Sequence, residues 1–236
     1  MADFQGYQGQ TDLGAGARAI TAENAFLWVV YRWMTVGLAL TGAIAMLVPA
    51  EWAWQMARSG VFYALLVGEL VLVLVFSWAA KRINSATAIA LFLAYAALNG
   101  LTFAVLFLFF ELSGIAAAFF VTAGTFGATS AYGYFTKRSL SGVGHFAMMG
   151  LFGLIIASVV NLFWANSTLY WVTTYAGVLI FVLLTAWDTQ KIKLMGEVVD
   201  SGTEAGRKMA IHGALVLYLD FINLFLLILR IVGGRR

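Results

Sequence analysis

Seven apolar stretches of about twenty residues follow one another along this chain, separated by short polar segments. An α-helix needs roughly 20 apolar residues to cross the hydrocarbon core of a bilayer. Backbone polar groups in lipid must be satisfied within their own segment, so stretches of this length predict helices rather than strands. The expected spans cover residues 25–48, 61–80, 86–110, 113–135, 145–164, 169–187 and 209–232. The predicted fold class is an all-α integral membrane protein, a bundle of seven transmembrane helices.

The composition excludes a soluble globular domain. Hydrophobic residues make up 62% of the 236 positions and charged residues only 11%, whereas about a quarter of a soluble domain is charged. The expected organisation is a soluble tail over residues 1–24, a membrane domain over 25–232 and a short tail over 233–236. The first tail lacks the order of basic, apolar and small residues that marks a secretory signal, so span one is expected to stay in the mature protein.

The side-chain chemistry is limited to oxygen and nitrogen groups. The chain has no Cys, which excludes disulfides and thiolates, and its two His leave too few ligands for a zinc site. His145 and His212 lie at span entrances, where an exposed position is expected. The formal charge of +3 comes from basic residues at span ends, so it indicates membrane topology and gives no support to nucleic-acid binding. No cofactor is expected.

The basic residues occupy alternate loops. They precede span one and follow spans two, four and six: Arg18, Lys81, Arg82, Lys137, Arg138, Lys191, Lys193, Arg207 and Lys208. The positive-inside rule makes these loops cytoplasmic and predicts a cytoplasmic N-terminus. Arg235 and Arg236 follow span seven and conflict with this rule. Span seven therefore either re-enters or places two tolerated arginines outside.

Ionisable side chains within spans are costly, by about 2.5 to 3.5 kcal/mol on insertion scales, and they mark candidate functional sites. Asp220 lies about eleven residues into span seven, near the middle of the membrane, and Asn223 shares its helix face. Glu69 lies similarly deep in span two, and Asp188 lies at the end of span six. Two buried carboxyl groups that face each other share a proton. Such a pair is a proton-sensitive latch or, once deprotonated, a cation site that suits Ca²⁺.

Simpler interpretations exist for both aspartates. Asp188, beside Lys191 and Lys193, is typical of a solvated helix end, and Asp220 fits a neutral acid that is hydrogen-bonded between helices. The nominal depths of the two aspartates differ. They meet only if span six stays helical past Asp188 or if span seven tilts.

Small residues recur at every third position of span four. They are Gly124, Gly127, Ser130 and Gly133. A stripe of small residues lets helices approach closely. The stripe therefore predicts a packing face rather than a pore or cofactor site.

Four motifs in order resemble the Bax inhibitor-1 (transmembrane Bax inhibitor motif) family. They are Asn99-Gly-Leu-Thr102, Ser130-Ala-Tyr-Gly-Tyr-Phe-Thr-Lys137, Trp187-Asp-Thr-Gln-Lys-Ile192 and Leu217-Tyr-Leu-Asp-Phe-Ile-Asn-Leu-Phe-Leu-Leu-Ile-Leu-Arg230. The resemblance covers nearly the whole chain from about Ala25 onward. The length and the short tail resemble a bacterial member, which implies a location in the cell inner membrane.

The resemblance implies a fold in which span seven lies in the middle and is surrounded by the other six. It also implies a pH-sensitive Ca²⁺ leak, with the bilayer, Ca²⁺ and protons as partners. The aspartate pair that senses pH in the family maps onto Asp188 and Asp220, which are also the candidate Ca²⁺ ligands. A span-two arginine that locks one aspartate in the closed state maps onto Arg82. Glu69 and Asn223 are candidate pore-lining residues.

Two other functions fit part of the pattern. Paired aspartates on late spans also occur in intramembrane aspartyl proteases, but Tyr218-Leu219 precedes Asp220 where those enzymes resemble Gly-x-Gly. An enzyme is therefore not expected. Some bacterial relatives are thought to associate with a membrane-anchored ATP-dependent protease and to modulate turnover of membrane proteins. The resemblance does not separate this regulatory role from a leak.

Overall fold

The structure is a computed structural model that describes the backbone of residues 3–79 and 82–234 and the side chains of residues 24–79 and 82–234. Lys81, Arg235, Arg236 and the side chain of Arg18, which entered the topology prediction, lie outside the described residues. The helices are α1 (Asp3–Leu47), α2 (Ala50–Arg58), α3 (Val61–Ala79), α4 (Ser85–Ala104), α5 (Leu106–Phe109), α6 (Leu112–Phe135), α7 (Ser141–Trp164), α8 (Ser167–Val198) and α9 (Glu204–Val232).

Seven segments are long and apolar enough to cross a membrane. They are the part of α1 from Asn24, then α3, α4 with α5, and α6 to α9; α4 and α5 count as one because only Val105 separates them. The predicted all-α, seven-helix membrane fold is confirmed. The largest difference in bounds is at α8, which continues eleven residues past the predicted end at residue 187.

Capping residues set where several helices begin. Asn84 Oδ1 accepts a hydrogen bond from the Thr87 backbone nitrogen at 2.8 Å at the start of α4. Thr203 Oγ1 accepts one from the Gly206 nitrogen at 3.0 Å at the start of α9. These side chains satisfy backbone donors that have no partner within the helix. Pro49 separates α1 from α2, where its missing N–H group costs little.

Successive spans alternate in direction, so the loops gather at two ends of the bundle. We call the end with Arg82, Arg138 and Lys191 the basic end, and the other end, which carries α2, the opposite end. At the basic end Glu204 accepts hydrogen bonds from the backbone nitrogen and the hydroxyl of Ser85. At the opposite end the backbone nitrogen of Glu111 donates to the carbonyl of Gly234 at 3.3 Å. Between these contacts α9 is unbroken, so it crosses the bundle and does not re-enter.

The last helix is the central one, as predicted. α9 packs against α1, α4, α6 and α8, and 61% of its most apolar window is buried, against 6% for α3 and for α7. The predicted ring of six helices around it is wrong in one respect. α3 packs mainly on α4, and α7 on α8, at the periphery of the bundle and away from α9. Both helices are apolar on all sides, so lipid can solvate the faces that do not pack on protein.

The small residues of α6 do not form a single packing face. A Cβ atom on Gly133 would overlap the carbonyl oxygen of Ala186 in α8, so this glycine allows close contact. A Cβ atom on Gly124 or on Gly127 would meet no atom within 4 Å. Nine residues correspond to two and a half helical turns, so Gly124 and Gly133 point in opposite directions. The prediction of one stripe is wrong for this reason.

Candidate functional site

Two aspartates are buried where α8 packs against α9. Asp220 lies near the middle of α9 and is 5% exposed, and Asp188 on α8 is 8% exposed. The two helices run antiparallel, with Ile192 packed on Gly213, so the turn that contains Asp188 lies level with the middle of α9. The two carboxyl groups are close enough for their charges to act on each other.

The length of α8 brings Asp188 to this position. The helix continues for ten residues past Asp188, through a segment that contains no proline. Thr189, Ile192 and Gly196 are buried along one face of this extension, so it packs on the bundle although its other face is charged. The condition for the two aspartates to meet is fulfilled, and Asp188 is not a solvated helix end.

Few polar partners surround the acidic pair. Oδ2 of Asp220 is buried and has no hydrogen-bond partner among the described residues. The cation that acts on Asp188 is Lys191, one turn further along α8, and its Nζ lies 5.1 Å from the centroid of the Trp187 ring. Nearby, Thr189 Oγ1 donates to Ser130 Oγ of α6 at 3.3 Å. A buried oxygen without a partner costs free energy, so its retention in a native fold requires an explanation.

His212 lies closer to the interior than the sequence predicts. His145 is exposed, as expected, and its Nδ1 lies 2.7 Å from the carbonyl oxygen of Ser141. The His212 ring is half-buried and stacks on Phe76, with ring centroids 6.0 Å apart and 7° between the planes. Its position differs because α9 begins at Glu204, five residues before the predicted start, which places His212 two turns inside the helix.

Arg82 is not brought to the acidic pair. It is exposed at the basic end, in the loop between α3 and α4, and its guanidinium carbon lies 4.7 Å from the centroid of the Trp78 ring. This contact is a cation–π interaction at the membrane surface. The role of Arg82 as a lock on an aspartate stays a prediction.

Glu69 belongs to a second polar cluster near the middle of the bundle. Its carboxylate accepts a hydrogen bond from the hydroxyl of Thr102 in α4. The hydroxyl of Tyr218, on which the charge of Glu69 acts, lies 2.7 Å from Oγ1 of Thr41 in α1. Tyr218 and Asp220 are two residues apart on α9 and so point about 200° apart. The cluster around Glu69 is therefore separate from the acidic pair.

Asn223 lies one turn beyond Asp220 and is half-buried. Its Nδ2 donates to the carbonyl of Leu219 at 2.8 Å, and its side chain lines a groove between α7 and α9. Residues 24–79 and 82–234 contain no group of three or more His, Asp or Glu side chains placed to hold a metal ion. Asp188 and Asp220 therefore offer two carboxyl groups to a cation and no third acidic or imidazole ligand from this part of the chain.

Seven helices that are long and apolar enough to cross a membrane define a polytopic α-helical membrane protein, with one buried aspartate on its central helix and one on the neighbouring helix. The chain belongs to the Bax inhibitor-1 family. The family described as "Inhibitor of apoptosis-promoting Bax1" matches residues 23–236. The family resemblance of the four sequence motifs is confirmed.

Bacterial relatives match this chain over nearly its whole length. The inner membrane protein YbhL of Escherichia coli K12 is 46% identical over 225 residues, which cover 90% of this chain and 93% of that protein. An uncharacterized protein of Borreliella burgdorferi is 40% identical over 228 residues, 95% of this chain and 98% of its own length. One of Deinococcus radiodurans is 41% identical over 212 residues, with coverage of 90% and 91%.

Proposed function

We propose that this protein is a proton-sensitive Ca²⁺ leak across the membrane, with Asp188 and Asp220 as its pH sensor and gate. The observation that carries the proposal is the burial of two carboxyl groups, on the central helix and on its neighbour, close enough for their charges to act on each other. Two like charges at short distance in a low dielectric cannot both ionise without a large cost, so such a pair holds one proton in common. The charge of the pair, and with it the affinity for a cation, then depends on pH.

The gate operates through the packing of α9. While the pair holds a proton, α9 fills the centre of the bundle and closes the path. Loss of that proton leaves two carboxylates that repel each other and favours a state in which water or a cation lies between α8 and α9. A proton or a cation shifts this equilibrium only by its difference in affinity for the two states. Ca²⁺ is the proposed permeating ion because it prefers carboxylate and carbonyl oxygens, and Asp188 and Asp220 are its proposed ligands.

Three other residues enter the proposal. Glu69 and Asn223 line the path on either side of α9, and Arg82 holds one aspartate in the closed state. Arg82 has to leave the Trp78 ring to do so, because its guanidinium carbon lies 4.7 Å from the centroid of that ring. Arg82→Gln is therefore expected to raise the leak. Unchanged flux in this variant contradicts the role of Arg82.

The same proposal places the protein in the cell inner membrane with a cytoplasmic N-terminus. The name of the E. coli relative, an inner membrane protein, supports this location. The concentration of basic residues at one end of the bundle supports the orientation. No enzymatic step is proposed.

Ca²⁺ flux into liposomes that contain a calcium dye tests the proposal. Full-length protein is measured from pH 5 to pH 8, a range in which carboxyl groups in such pairs titrate. Wild type is expected to give saturable, pH-dependent flux, and Asp188→Asn and Asp220→Asn are expected to flatten the pH profile. Asp200→Asn is the matched control, since Asp200 is exposed in the α8–α9 loop and an amide oxygen can still accept from Gly202.

Two results would contradict the leak. One is flux no greater than in empty liposomes, and the other is an unchanged pH profile in both buried variants. Absence of flux, together with co-purification of a membrane-anchored ATP-dependent protease, would favour the regulatory role in protein turnover. The aspartates would then be structural hydrogen-bonding groups.

A further inference from the structure

Arg230, in the last turn of α9, lies between a polar cavity and an apolar groove. The polar cavity has a volume of about 570 Å³ and is formed at the opposite end of the bundle by the ends of α7 and α9 and the start of α8. The groove has a volume of about 320 Å³ and lies between α7 and α9, with α8 behind it. Arg230 lines both. The two spaces are therefore contiguous at its side chain.

The polar cavity presents hydrogen-bond donors. Oδ1 of Asn161 accepts from the backbone nitrogen of Asn166 at 2.9 Å, and Oδ1 of Asn166 accepts from that of Leu169 at 2.9 Å. Because both side-chain oxygens are used in this way, the two amide NH₂ groups remain as donors, and they meet no acceptor within residues 24–79 and 82–234. Ser167 lines the same cavity with a hydroxyl group.

Arg230 adds a positive charge to these donors. Its guanidinium carbon lies 5.3 Å from the centroid of the Tyr170 ring, and no carboxylate of the described residues forms an ion pair with it. The guanidinium group presents several N–H donors in a plane and matches phosphate better than any other side chain does. The cavity is therefore complementary to an anion with several acceptor oxygens.

The groove is apolar and opens toward the membrane. Its walls are mainly aliphatic: Leu151, Leu154, Ile155, Val159, Leu162 and Leu227. On the α7 side, half or more of the side chains of Ile155 and Leu162 is exposed. α7 packs on α8 and not closely on α9, which leaves the cleft between them unfilled by protein. At this depth the surrounding medium is lipid hydrocarbon, which suits the aliphatic walls of the cleft.

We propose that this face binds one membrane phospholipid, with its phosphate at Arg230 and the Asn161 and Asn166 amides and one acyl chain along the α7–α9 groove. The end of a spanning helix lies at the level of the lipid headgroups, which places the guanidinium group beside the phosphate layer. The positive charge and the hydrogen-bond donors lie at the end of the bundle and the apolar groove lies deeper, which is the arrangement of the phosphate and the acyl chains in a phospholipid. Asn223, which lines the proposed Ca²⁺ path, also lines this groove. Lipid retention is measured without ion flux, so failure of the lipid site and failure of the leak are distinguishable.

Native mass spectrometry of the full-length protein, released from a nonionic detergent with added phosphatidylglycerol, tests the site. Wild type is expected to retain one lipid, and Arg230→Gln is expected to lower the retained fraction about tenfold through loss of the charged donors. Arg58→Gln is the matched control. Arg58 is also exposed at the opposite end and also lies over a ring, 5.0 Å from the centroid of Trp54, but it lines neither the cavity nor the groove.

A second variant tests the groove separately. Ser158 is exposed and lines it, so Ser158→Trp fills the space of the acyl chain and leaves Arg230 in place. The same loss of lipid is expected. Equal retention by wild type, Arg230→Gln and Ser158→Trp would overturn the proposal, and so would equal losses in Arg230→Gln and Arg58→Gln. Inorganic phosphate that raises the thermal stability of wild type as much as the phospholipid does would reduce the site to an anion site.

Discussion

Replacing Gly133 with Ala tests whether the acidic pair depends on the close approach of α6 to α8. Gly133 packs on the backbone of α8 at Ala186, two residues before Asp188. A Cβ atom at this position would overlap the Ala186 carbonyl oxygen, and a helix backbone cannot rotate away as a side chain can. The two helices must therefore separate beside Asp188.

The size of the effect follows from this overlap. An ordinary van der Waals contact of a Cβ atom is 3.4–4 Å, so α6 and α8 must move apart by on the order of 1 Å. Overpacking of this kind costs about 1 to 3 kcal/mol, while alanine gains about 0.8 to 1 kcal/mol over glycine in a helix. Gly127→Ala on the same helix has only the gain, because its Cβ atom meets nothing within 4 Å. The two variants should therefore differ by about 1 to 3 kcal/mol.

Equilibrium unfolding in mixed micelles of a nonionic detergent and SDS, followed by circular dichroism, measures this difference. Gly133→Ala is expected to unfold at a lower fraction of SDS than wild type, and Gly127→Ala at the same fraction or a higher one. The Ca²⁺ flux of Gly133→Ala is also expected to change its pH profile, since the displaced segment carries Asp188. Equal stability of the two alanine variants would refute the packing argument.

Three further predictions concern other contacts. Tyr218→Phe removes the buried hydrogen bond of 2.7 Å to Thr41 and is expected to lower the free energy of unfolding, measured by the same assay, by about 0.5 to 1.5 kcal/mol. An unchanged free energy of unfolding would show that this hydrogen bond makes no net contribution to stability. Glu204→Ala removes the acceptors of the Ser85 backbone nitrogen and hydroxyl and should speed deuterium exchange at the Ser85 amide, while exchange in the next turn of α4 stays the same. Ala165 has a left-handed backbone with φ of 45°, which costs a residue other than glycine about 1 to 2 kcal/mol. Ala165→Gly removes this strain but stabilises the unfolded chain by about 0.4 to 1 kcal/mol, because glycine gives it more conformational entropy. The free energy of unfolding is expected to rise by about 0.5 kcal/mol, and a fall would contradict the argument.

Apolar windows predict the spans well because lipid imposes a minimum length and excludes other backbone structures. They fail at the end of α8 for a physical reason. A hydropathy window ends where charge begins, at Asp188, whereas a helix ends where its packing and backbone hydrogen bonds end. The buried face of Thr189, Ile192 and Gly196 continues the helix to Val198. The length of this extension, and with it the position of Asp188, is a property of the tertiary packing.

The candidate sites differ in how far the sequence reveals them. Asp220 stands out by depth alone, since it interrupts a long apolar run. Asp188 lies at a span end and joins Asp220 only through the register of α8 against α9. The donors around Arg230 come from the end of α7 and the turn between α7 and α8, which are distant from Arg230 in sequence. Neither a hydropathy window nor a sequence motif links these donors to Arg230. The side-chain orientation of Asn161 depends on a hydrogen bond from the backbone nitrogen of Asn166 in the following turn.

The central position of α9 has a consequence for biosynthesis. The helix with the most buried residues leaves the ribosome after the other six spans, and chains grow at about 5 to 20 residues per second. For several seconds the first six spans are in the membrane without the helix that fills the space between them. A chain truncated before residue 204 therefore contains the outer helices of the bundle and lacks the central helix α9. We expect such a chain to insert its spans into the membrane and then to be degraded, because its helices lack the packing that α9 provides.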